Sequence, residues 1–217
     1  MSFERAGSEL PLSRNGDMRK EGMRGFSLLE MMAVIAIGLI VSAYAVMTLQ
    51  PEAQNSRVTD AYNTSLMAMR QARDISIAQR QTYYVTFTHN DAPPDTITIT
   101  QGGTGTVVNT YQLPLDLAFT TVTGIPTGAG QTPDGFGNGG NAIDFDQGVS
   151  GGNKSVVYFY PDGSAQDVNG NINNGVLYIA RPGVLFTSRA ITVWGATGRL
   201  RGWRLYLNNN TTYWRQM

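Results

Sequence analysis

The sequence predicts an α+β protein: a long N-terminal helix, one half fit for a membrane, packed through its other half on an antiparallel β-sheet domain. Three observations carry this expectation. Nineteen uncharged, mostly apolar residues run from Met31 to Leu49. Apolar residues then recur every three or four positions from Val58 to Ser76. From Tyr83 onward the period falls to two, in segments rich in β-branched and aromatic residues.

The apolar run sets the terms for the first element. At about 1.5 Å per residue it would extend roughly 28 Å as a helix, close to the thickness of a bilayer core. Backbone groups in lipid must be satisfied internally, so the segment is expected in a membrane or buried among similar helices. Glu30 is the only charge between Arg24 and Glu52. An ionisable group at the edge of such a helix is costly; it either snorkels to the head groups or finds a partner. A secretory signal peptide cut near Ser42-Ala43-Tyr44-Ala45 is the competing reading of the same run.

Pro51 should end or kink the helix, because it removes a helix hydrogen bond. The pattern then resumes as an amphipathic helix. Val58, Tyr62, Leu66, Met69, Ala72 and Ser76 form one stripe, with Arg57, Asp60, Arg70, Arg73 and Asp74 mostly elsewhere. Strands are expected at 83–88, 96–100, 107–113, 156–160, 175–181, 190–194 and 203–207, with turns at 91–95, 102–105, 161–163 and 195–198. Residues 114–154 are rich in Gly, Pro and Thr and read as long loops with one or two short strands near 117–119 and 143–145.

Composition narrows the function classes. The chain has 217 residues, formal net charge zero and no cysteine, so disulfides and thiolate metal sites are excluded. His89 is the only histidine, at a strand end, and reads as a surface turn residue without ordered partners. No catalytic set emerges. The glycine-rich stretches 102–105 and 135–140 lack the Lys-Ser/Thr of a phosphate loop. Asp162, Asp167 and Asn169 do not have EF-hand spacing, so no metal is expected, and no cofactor.

Gly25-Phe26-Ser27-Leu28-Leu29-Glu30, followed by the apolar helix, resembles the class III signal of type IV pilins and type II secretion pseudopilins. The resemblance implies the pilin fold, with residues 1–25 as a leader, 26–50 as the transmembrane and filament-core helix, 51–80 as the amphipathic helix and 81–217 as the globular domain. It implies cleavage between Gly25 and Phe26 by a prepilin peptidase/methyltransferase, and N-methylation of Phe26. It gives Glu30 the task of neutralising the new amino terminus of a neighbouring pilin subunit, a charge pair formed in low dielectric. The leader is longer and more acidic than such leaders usually are, with five basic and four acidic residues, and translation from Met18 would shorten it. The implied location is the bacterial inner membrane, with the domain in the periplasm, and a pilus or pseudopilus after assembly.

Later stretches resemble the FimT/GspH group of minor pilins and pseudopilins: the helix 66–80, the turn Phe159-Tyr160-Pro161-Asp162-Gly163-Ser164, and Ile191-Thr192-Val193 with Thr197-Gly198-Arg199-Leu200-Arg201. Such a subunit would help to initiate or cap a filament. Charge adds an alternative. Residues 81–168 hold eight Asp and one Lys, whereas 169–217 hold six Arg and no acid. Salt bridging within or between subunits is one reading. The other is DNA binding for uptake through Arg199, Arg201 and Arg204, near Trp203 and Trp214, because arginines contact phosphates and aromatics stack on bases. Some members of the resembled group bind DNA through a similar Gly-Arg-x-Arg stretch, here Gly198-Arg199-Leu200-Arg201.

Overall fold

A computed structural model describes residues 26–147 and 154–217. Residues 1–25, the expected leader, and residues 148–153 lie outside them. The first element is one helix, α1 (Leu28–Gln79), assigned without interruption through Pro51; the proline therefore does not end it. The chain divides into two compact units, Met1–Met47 and Thr48–Met217.

In the first unit, Leu28–Met47 is long and apolar enough to cross a membrane. The large apolar side chains along it, from Leu28 and Leu29 to Val46 and Met47, are all exposed. Ser42 donates its hydroxyl to the carbonyl of Gly38 at 2.7 Å, which satisfies a polar group that the apolar run would otherwise strand.

In the second unit the amphipathic stripe is a core face. Val58, Tyr62, Leu66, Met69, Ala72 and Ser76 are all buried, while Arg57, Asp60, Arg70 and Asp74 are exposed. The helix ends on Arg80, whose φ of 53° is left-handed, and Gln81 donates its N–H back to the Ser76 carbonyl at 3.2 Å.

Ten strands follow among the described residues: β1 (Tyr83–Thr88), β2 (Thr96–Gln101), β3 (Val107–Gln112), β4 (Ile143–Gln147), β5 (Val156–Phe159), β6 (Ala165–Gln166), β7 (Asn174–Ile179), β8 (Arg189–Trp194), β9 (Arg199–Asn208) and β10 (Thr211–Gln216). They form two antiparallel five-stranded sheets rather than the one expected, ordered β3-β2-β1-β5-β6 and β10-β9-β8-β7-β4. One core joins the helix stripe to Val85, Phe87, Ile97 and Ile99 of the first sheet and to Leu177, Ile179, Ile191 and Val193 of the second. A second core, with Ile125, Val176, Tyr178, Ala190, Leu205 and Trp214, covers the other face of the second sheet. The 114–142 segment thus has a packing role: Ile125 and Phe136 roof that outer face. Burial on both faces also explains why β7 reads as a continuous apolar run, not an alternation.

Candidate processing and assembly site

Gly25 and the bond to be cut lie outside the described residues. Phe26 is exposed and precedes the helix. Glu30 lies in the first helical turn, exposed and without an ion-pair partner among the described residues. A carboxylate there complements the unpaired N–H groups of the helix start, which is its local stabilisation. The 20-residue segment Leu28–Met47 has nothing covering it among the described residues. Exposed apolar surface of that size requires lipid or like helices around it.

The soluble domain carries a second constellation, built around Arg73. Its Nε donates to the Gly163 carbonyl at 3.0 Å and one terminal nitrogen to the Thr197 carbonyl at 3.2 Å. One helical side chain thereby ties the turn after β5 to the turn between β8 and β9. Gly198, at φ 59°, allows the approach: a side chain there would collide with the Gly163 carbonyl and the Arg73 guanidinium. In the first of these turns Asp162 accepts hydrogen bonds from the Ser164 hydroxyl at 2.6 Å and N–H at 2.9 Å, which hold its carboxyl below the usual carboxylate range.

The three arginines proposed from sequence do not share a surface. In β9, Arg201 binds Asp134 at 2.5 Å and lies over the Trp194 ring at 5.4 Å. Thr192 donates to the same Asp134 at 2.5 Å, and Trp203 donates to Thr192 at 3.1 Å. Arg204 faces the helix side, where it borders a groove with Asn55, Ser56, Thr59 and Asp60. Arg199 is exposed in the turn-proximal end of the strand. Asp134 escaped the sequence reading because it lies 67 residues from Arg201, with no local signal to join them.

His89 also departs from expectation. It has an ordered partner: its Nδ1 lies 2.9 Å from Oδ2 of buried Asp95. Asp95 accepts from the N–H groups of Asn90 at 2.9 Å and Phe119 at 2.6 Å as well, so the pair braces the β1–β2 connection against the 114–142 segment. Asp167 accepts from the N–H groups of Asn169 and Asn171 at 2.8 and 2.9 Å, a self-contained turn. No cluster of three metal-ligating side chains occurs among the described residues.

An apolar N-terminal helix leading into a two-sheet β domain is the architecture that fits a membrane-anchored subunit. Residues 22–46 match the model of the prokaryotic N-terminal methylation motif, and this is the type IV pilin signal. The motif supports a type IV pilin-like subunit, and it implies processing by a prepilin peptidase and assembly with other pilins. No curated protein and no solved structure matches the chain.

Proposed function

We propose that this chain is a minor pilin or pseudopilin of the FimT/GspH type, cut between Gly25 and Phe26 and N-methylated on Phe26. Before assembly its domain faces the periplasm from the inner membrane. After assembly it helps to initiate or cap a type IV pilus or type II secretion pseudopilus. The observation that carries the reading is the methylation motif at 22–46, placed on an apolar helix whose side chains have no cover among the described residues and whose one charge is Glu30. The subgroup draws support from the three stretches that resemble it: they meet in space, since Arg73 of the helix bonds to both turns.

Glu30 would neutralise the amino terminus of a neighbouring subunit's Phe26 in the filament core. An unpaired carboxylate among packed apolar helices is costly, so the pair sets the axial register. Glu30→Ala should cut recovery of the subunit in sheared filaments severalfold, with the melting temperature of the β domain unchanged. Wild-type incorporation of that variant would remove the pairing role. DNA capture through Arg199, Arg201 and Arg204 is not adopted, because the sheet divides these side chains between two faces and Asp134 already neutralises Arg201.

A further inference from the structure

Arg189, at the start of β8, is only 2% exposed. A buried guanidinium ordinarily has a carboxylate beside it. This one has none within 4.0 Å among the described residues; it donates instead to the carbonyls of Ser188 at 3.1 Å and Phe186 at 3.4 Å. Two carbonyls leave most of its five N–H donors without an acceptor. The residue opposite it on the next strand has the same sign. Arg204 is its direct cross-strand partner, and Arg215 is the partner of Arg204 on the next strand. Like charges placed opposite each other on adjacent strands repel. Burial and the Arg204 charge accordingly lower the Arg189 pKa to about 10.

The row is ordered rather than frayed. The Arg204 and Arg215 guanidiniums lie 5.4 and 5.9 Å from the Tyr206 ring. Arg189 and Arg204 border an open groove of about 430 Å³, lined on its other side by the exposed Asn55, Ser56, Thr59 and Asp60 of the helix. Asp60 is the one acid on that wall, and it pairs with neither arginine. We propose that this groove binds a phosphate-type oxyanion, held by Arg189 and Arg204, with Arg215 adding charge from the neighbouring strand and the Ser56 hydroxyl and Asn55 amide adding neutral donors, the Thr59 hydroxyl being engaged with the Asn55 carbonyl. A carboxylate offers two oxygens and one charge, enough for one guanidinium. A phosphate presents more acceptors and can satisfy two forks at once. Free phosphate and the head group of an anionic phospholipid share this chemistry.

The test uses the full chain in a neutral detergent, melted with rising inorganic phosphate against chloride at matched ionic strength. Phosphate should raise the melting temperature of the wild type beyond any effect of chloride. Arg204→Gln, at a partly exposed site, should weaken phosphate affinity tenfold or more while folding normally. Arg189→Met should lose the phosphate response too, without a lower melting temperature in chloride, because it removes an uncompensated buried cation. Arg199→Gln, outside the groove, should respond as wild type. The same four chains in nanodiscs of phosphatidylcholine, with and without phosphatidylglycerol, separate the sources. A rise with phosphatidylglycerol that Arg204→Gln abolishes assigns the head group; a rise with free phosphate alone assigns the free ion. Equal responses to phosphate and chloride, or an unaltered phosphate response in Arg204→Gln, would overturn the site.

Discussion

Arg73 shows how one side chain can hold a fold together and still look unremarkable in sequence. It sits on the helix among exposed charges, yet its two bonds reach carbonyls 90 and 124 residues away. Hydrogen bonds from a charged donor contribute about 1.5–3 kcal/mol when well shielded and less when wet. Arg73→Ala should therefore destabilise the β domain by about 1–3 kcal/mol in chemical denaturation followed by tryptophan fluorescence. Gly198→Ala should cost at least as much, since it collides with the same carbonyl and needs a left-handed backbone. Arg70→Ala, an exposed neighbour, should stay near wild type. If Arg73→Ala matched Arg70→Ala, the clamp would be energetically idle. The turns themselves were legible in the sequence from Pro161-Asp162-Gly163 and Gly195-Ala196-Thr197-Gly198. Their union through Arg73 was not, because long-range donors leave no local pattern. Gly202 teaches the same lesson: it sits where a side chain would strike the Tyr62 ring, and only the packed helix explains it.

At the scale of elements, periodicity did most of what it could. The 3.6-residue stripe from Val58 to Ser76 marked the buried face of the helix residue by residue, and strict alternation located β1 and β2. β7, buried on both faces, and β3, wet along most of its length, show no such alternation, and their β-branched and aromatic content marked them instead. β10 was overlooked because Thr211-Thr212-Tyr213-Trp214 follows a polar asparagine run, yet Asn209 and Asn210, at φ 46° and 60°, make the tight turn that pairs it with β9. Asn-Asn between two aromatic-bearing segments was the available signal. The end of α1 carries a cost that can be measured. Arg80 occupies the left-handed position where glycine is usual. Arg80→Gly should stabilise the domain by about 0.5–1 kcal/mol, the balance of relieved backbone strain and a freer unfolded chain. A loss of stability in that variant would mean that the arginine side chain holds the helix end in a way its exposed position does not suggest.

At the scale of the whole molecule, two different solvents shape one chain. Residues 28–47 place apolar side chains outward and have no interior of their own, whereas residues beyond 48 bury theirs in two cores. The first pattern was fully legible, because hydropathy and one displaced charge are local properties. The division of acid and base along the sequence was legible too, but not its use. Only Arg201–Asp134 joins the acidic middle to the basic end among the described residues, so most of the C-terminal arginines have no carboxylate within 4.0 Å among those residues. An assembled filament, or an oxyanion in the Arg189 groove, would supply what the isolated chain lacks.

The proposed assembly rests on processing between Gly25 and Phe26, since an uncut leader would keep the Phe26 amino group out of reach of any neighbour's Glu30. The most direct measurement is the mass of the N-terminal peptide of the mature protein taken from membranes. The account predicts a chain beginning at Phe26 and carrying one added methyl group on its amino nitrogen. A chain beginning between Tyr44 and Met47, or one retaining residues 1–25, would contradict it.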